Sequence, residues 1–126
     1  MVIGNGALYG GTADGGTSGT GTIFQLAPRT VAGGTWTETV LHRFHWGKDG
    51  ANPFASPVWG NRGQPYGTAD GGSGAYGVAF ELAPPTPSST TWTYTVLHSL
   101  TGGCDGASPA GVLLLGGNGK IYGMTS

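Results

Sequence analysis

WTETVLHRFHWGKDGANP, residues 36–53, returns as WTYTVLHSLTGGCDGASP at residues 92–109. The echo extends outward from there. Residues 12–59 and 68–115 align without a gap at an offset of 56, and 23 of the 48 paired positions are identical. A third copy begins at the far end, where Tyr122-Gly123-Met124-Thr125-Ser126 echoes Tyr9-Gly10-Gly11-Thr12-Ala13. Repetition at a period of tens of residues marks a module that buries its apolar face against its neighbours, not a self-sufficient domain. The expected organisation is a first repeat over residues 1–59, a second over 60–115, and the start of a third over 116–126.

Each copy carries four strand-like runs. Run a is Ala55-Ser56-Pro57-Val58-Trp59 in the first copy and Gly111-Val112-Leu113-Leu114-Leu115 in the second. Run b is Lys120-Ile121-Tyr122-Gly123-Met124, with Gly116-Gly117-Asn118-Gly119 before it. Asn-Gly between apolar runs predicts a hairpin with a type I′ turn. Gly4-Asn5-Gly6 and Gly60-Asn61-Arg62-Gly63 sit at the same phase. Run c is Gly21–Ala27, matched by Gly77–Ala83, and it stops at Pro28 and Pro84 because proline cannot donate to a ladder. Run d has the clearest period of two, with threonines and aromatics throughout. Its alternation predicts one face of Trp36, Glu38, Val40, His42 and Phe44, repeated as Trp92, Tyr94, Val96, His98 and Leu100. No window carries a period of 3.6. The expected fold class is all-β: repeated four-stranded antiparallel units like β-propeller blades, with a stacked β-solenoid as the alternative.

Composition excludes several classes of function. Glycine is 27 of 126 residues, against an average of roughly 7%. These glycines recur in register between copies, which speaks for turns. Charged residues are 9% and the net charge is −1, with five Lys and Arg in all. No basic stripe exists to neutralise phosphates, so nucleic acid is not an expected partner. No apolar run approaches the ~20 residues that span a bilayer. The single Cys104 has no intrachain partner, so no disulfide framework is expected.

Several motifs together resemble a known bacterial tandem repeat. They are Tyr9-Gly10, the following Thr-x-x-Gly-Gly, Gly21-Thr22-Ile23-Phe24-Gln25-Leu26-Ala27-Pro28, the Thr-Val-Leu-His string and Asp-Gly-x-x-Pro. The chain resembles the GloVer-type repeat of "choice-of-anchor" surface proteins over nearly its whole length. That resemblance implies secreted or surface-anchored proteins with blade-like repeats, and it implies no catalytic residues.

The candidate site residues have plain structural readings. Asp14, Asp49, Asp70 and Asp105 each stand in a glycine-bearing loop, one per loop, without the clustered carboxylates that calcium needs. They read as turn supports. His42 and His98 occupy equivalent positions and read as structural; the sequence reading pairs neither with an acid. Glu38 and Glu81 lie in different runs, with Tyr94 and Gln25 as their equivalents. No nucleophile–base set is evident, so no catalytic residue, metal or cofactor is expected. Gly15-Gly16-Thr17-Ser18-Gly19 lacks the lysine and the helix of a phosphate loop. Trp36 and Trp92 are repeat-equivalent and read as packing residues. Trp46 and Trp59 are unmatched, which marks them for an interface or for stacking on a sugar.

Open strand edges recruit other chains, and low net charge removes one barrier to association. The expected function is therefore a non-enzymatic extracellular or cell-surface structural protein that self-associates through its blade edges into a fibre, ring or sheath. A carbohydrate- or protein-binding propeller module taken from a longer surface protein is the alternative.

Overall fold

A computed structural model describes residues 1–72 and 74–126. Among them the chain is all-β, with ten strands and no helix, and so no helix long and apolar enough to cross a membrane. β1 (Val2–Gly4), β2 (Ala7–Thr12), β3 (Thr22–Ala27) and β4 (Thr37–Arg43) form one sheet in that order. β5 (Val58–Trp59), β6 (Pro65–Ala69), β7 (Val78–Ala83) and β8 (Thr93–Ser99) form a second sheet in the same way. β9 (Pro109–Leu115) and β10 (Ile121–Thr125) make a separate hairpin. Every pairing is antiparallel. The first strands of the three units, β1, β5 and β9, neighbour one another in turn.

Local chemistry explains where the strands depart from expectation. Run a of the first copy shrinks to Val58–Trp59, while its counterpart extends over Pro109–Leu115. Pro57 stands where the second copy has Leu113, and a proline removes a ladder donor. The hairpin turns also differ among themselves. Asn5 and Gly6 both have positive φ, as a type I′ turn requires. In the other two hairpins only Gly63 and Gly119 do. There Gly60 donates to the Gln64 carbonyl at 2.8 Å and Gly116 to that of Lys120 at 2.7 Å. These are longer loops closed by one left-handed glycine, not the expected type I′ turns.

The largest correction concerns run d. Ile23 pairs with His42 but Phe24 with Val40, so Leu41 is an extra residue with no partner. Ala79 pairs with His98 and Phe80 with Val96, leaving Leu97 extra in the same way. Each is a β-bulge, and a bulge re-aims the side chains beyond it. Directly opposed residues share a face and successive ones do not. Val40 therefore lies with Phe24 on one face, and His42 lies with Ile23 on the other. The single face expected for Trp36, Glu38, Val40, His42 and Phe44 is split, and the second copy splits identically.

That split builds the core. Ile23 and Phe44, on the front of the first sheet, meet Phe80 and Leu82 on the back of the second, with Trp92, Tyr94 and Val96 alongside. The Phe44 and Phe80 rings lie 5.9 Å apart, edge to face, and Phe80 is 1% exposed. Burial of such a side chain stabilises by roughly 1.5–3 kcal/mol. The back of the first sheet carries the same residue types and is more open. Phe24, Leu26 and Val40 are only partly buried, and Trp36 is 49% exposed.

Candidate functional site

The bulges place each histidine over the loop that follows its strand. In the first copy Gly50 donates to the Gly47 carbonyl at 3.2 Å, turning the chain back. Asp49 then faces His42, with Oδ2 3.2 Å from Nε2. The same carboxylate accepts the His45 backbone N–H at 3.1 Å. Tyr94 of the second sheet closes the assembly from above. Its ring stacks on His42 with centroids 3.7 Å apart and planes 8° from parallel. Its hydroxyl donates to the Asp49 carbonyl at 2.6 Å. Phe44 stands edge-on to both rings.

The second copy repeats the cradle without the lid. His98 Nε2 lies 3.2 Å from Asp105 Oδ2. Asp105 accepts from the Thr101 N–H at 3.1 Å and from the Thr101 hydroxyl. Among the described residues no tyrosine ring packs on His98 as Tyr94 packs on His42. A cavity of about 300 Å³ opens there instead, lined by Ala79, His98, Leu100, Asp105, Leu113 and Met124 among others. It is mainly apolar, with one His–Asp pair on its wall.

The ionisation of the first cradle follows from its burial. Desolvation lowers the His42 pKa, and the neighbouring carboxylate only partly offsets it. Burial opposes ionisation of Asp49, but hydrogen bonds from His45 and His42 outweigh it and hold the pKa below the usual carboxylate value. Burial pushes the Tyr94 hydroxyl upward, so it stays a donor. Both shifts at the His–Asp pair make the folded state bind fewer protons than the unfolded chain. Stability therefore falls as pH drops below about 6.5, where the unfolded histidine protonates, and again below about 4 through Asp49. The expected result is a melting temperature lower at pH 5 than at pH 7.5, with the difference reduced in His42→Gln. A chain that becomes more stable on acidification would contradict this.

As chemistry, the pairs are clasps. In the second copy the Thr101 hydroxyl bonds the carboxylate and not the imidazole. A base acting on a nucleophile needs the opposite arrangement. Among the described residues, no group of three or more His, Cys, Asp or Glu side chains is placed to hold a metal ion.

The family model of the Gloeobacter/Verrucomicrobia repeat matches residues 1–126, the full length described above. The chain belongs to the Gloeobacter/Verrucomicrobia repeat family. No curated protein and no solved structure shows a significant match.

Within this Gloeobacter/Verrucomicrobia repeat chain, the tryptophans separate by position. Trp59 packs on Tyr9 with ring centroids 4.6 Å apart, and Trp92 meets the same ring edge-on at 5.9 Å. Both link one unit to the next. Trp46 stands apart, half-exposed, on a backbone of φ +59° in the loop after β4. Asp70 joins the second unit to the loop of the first through its backbone, accepting the Ala51 N–H at 2.8 Å, and burial raises its side-chain pKa. Glu38 and Glu81 sit in different sheets and are not brought together. The residues missed in the sequence are the two His–Asp pairs. Their signal was a fixed spacing of seven, His42 to Asp49 and His98 to Asp105. A further missed residue is Tyr94, legible only as the one position where run d exchanges a carboxylate, Glu38, for an aromatic ring.

Proposed function

We propose that this chain is a non-enzymatic structural repeat protein whose blade-like units stack front to back and self-associate into a larger β assembly, such as a ring, fibre or sheath, at the cell surface. The observation that carries the reading is the unequal burial of equal residues. Phe80 and Leu82 are sealed against the first sheet, whereas Phe24 and Leu26, their equivalents, are only partly buried. The succession of first strands, β1 beside β5 beside β9, supports a propeller-like course about a common axis. The sparse charge and the wealth of Gly, Thr and Ser suit an extracellular scaffold. A head-to-tail contact of this kind joins two different surfaces, so it closes into rings or runs on into fibres. Negative-stain microscopy of the purified chain should reveal regular assemblies. Fields of particles no larger than a single chain would refute the proposal.

Trp46 favours a second reading, as a carbohydrate-binding module. Its half-exposed ring is free to stack on a sugar face. Glycan-array binding that disappears in Trp46→Ala would support that role, and an array with no binding would remove it.

A further inference from the structure

The two copies exchange an aromatic residue between neighbouring loops. Trp46, in the loop after β4, stands where the second copy has Gly102. Tyr76, in the loop between β6 and β7, stands where the first copy has Thr20. The loops otherwise fold alike. Asn52 donates to the Thr20 carbonyl at 2.8 Å, and Ser108 donates to the Tyr76 carbonyl at 2.7 Å. Trp46 and Gly102 both have a left-handed backbone, with φ of +59° and +74°. Glycine adopts that conformation without cost, so Gly102 is the relaxed residue of the pair and Trp46 the strained one.

Each copy thus carries one ring at this end of its sheet, supplied from a different loop. The Tyr76 ring lies 2.6 Å from where a Cβ on Gly102 would sit, so it fills the space that a side chain at 102 would enter. Trp46 is 50% exposed and Tyr76 51%. Among the described residues neither ring packs on another aromatic ring. Trp46 keeps this exposure with the following unit in place beside it: a Cβ on Gly72 of the second unit would overlap the Trp46–Gly47 peptide. A strained residue that gains so little burial points to a role outside the core.

The surroundings select the ligand. Within residues 45–50 and 70–77, Trp46 and Tyr76 are the only large apolar side chains exposed among the described residues. A protein partner buries a contiguous apolar centre, and these isolated rings do not build one. A net charge of −1 with five scattered cations provides no field to hold a polyanion. An uncharged sugar needs neither. The C–H face of its ring stacks on an aromatic face, and the tyrosine O–H and indole N–H remain to bond its hydroxyls.

We propose that Trp46 and Tyr76 form a two-ring platform for an uncharged polysaccharide, each ring stacking on a different sugar of one strand. The rings rise from successive units, and packed sheets lie roughly 10 Å apart, farther than one sugar reaches. A long strand that engages both rings therefore binds more tightly than its short fragments. This deepens the carbohydrate reading of Trp46 and rests on it.

Affinity electrophoresis tests the platform, in native gels containing mixed-linkage β-glucan, xylan, galactomannan or soluble starch. Each variant takes the residue of the other copy, Trp46→Gly or Tyr76→Thr. The fold already accepts each residue at that position, so both variants should melt within about 4 °C of the wild type. At least one polymer should retard the wild-type chain, and each variant should need at least about tenfold more polymer for the same retardation. Retardation lost in Trp46→Gly but unchanged in Tyr76→Thr overturns the platform and leaves Trp46 as a single sugar site. Retardation unchanged in both variants, or absent from every gel, overturns the platform and the carbohydrate reading together. A Trp46→Gly chain that melts far below the wild type identifies Trp46 as a packing residue and overturns the proposal as well.

Discussion

Phe80→Ala lowers the free energy of unfolding by about 3–5 kcal/mol, and Phe24→Ala, the same change one repeat earlier, lowers it by less than half as much in dilute solution. Phe80 is 1% exposed and packs between Phe44 and Tyr94. Its removal forfeits the transfer energy of the ring and leaves a cavity between two sheets that cannot collapse together. Phe24 covers Gly10 within its own sheet and is only partly buried. Truncating it removes contacts on one side only and opens the site to water. Urea unfolding of the two variants decides the point. Equal losses would mean that the two sheets are equally covered, and the front-to-back packing described above would be wrong.

The second large effect is expected at Gly50, in the loop between the two sheets. Its φ is +90°, a conformation that costs an L-residue roughly 1–2 kcal/mol. A methyl group there would also lie 2.8 Å from Val78 Cγ2 and 2.9 Å from the Asp70 carbonyl, both in the second repeat. Overpacking of that kind adds about 1–3 kcal/mol. Gly50→Ala should therefore destabilise by at least about 2 kcal/mol. Gly6→Ala separates the two causes. Gly6 has φ +75° and nothing within 4 Å of the added carbon, so it should lose the backbone cost alone. Thermal or urea unfolding of the pair checks this, and equal losses would show that the loop does not press on the second repeat.

Much of the fold was legible because the chain states it twice. The four runs of each copy and their ends at Pro28 and Pro84 follow from local chemistry, and the strands lie within a residue or two of where that chemistry puts them, except run a of the first copy, which loses Ala55–Pro57. Non-local pairing was illegible. Leu41 and Leu97 look like ordinary members of an alternating strand, and nothing in Thr-Val-Leu-His marks a bulge. The extra residue is defined only against β3 or β7, whose register is set elsewhere. Missing the bulge sent His42 and Phe44 to the wrong face and hid the histidine's approach to Asp49. The constant spacing of seven was visible, but its meaning depended on that same bulge. The turn at Asn118-Gly119 resisted for a similar reason: the dipeptide favours type I′, while the strands it joins settle the loop length.

The role of Tyr94 shows how a difference between copies can inform more than their identity. Shared Asp, His and Trp positions describe the unit. The exchange of Glu38 for Tyr94 tells which histidine is covered: His42 lies under the Tyr94 ring, while His98 borders a cavity.

Sedimentation equilibrium of the unmodified chain over a wide range of concentration is the most direct test. Stacking of open sheet faces predicts a weight-average mass that begins near the 12.6 kDa of one chain and climbs with concentration, without stopping at a dimer unless a ring closes. A mass fixed at 12.6 kDa over the whole range, with Phe24 and Trp36 still open to solvent, would contradict it.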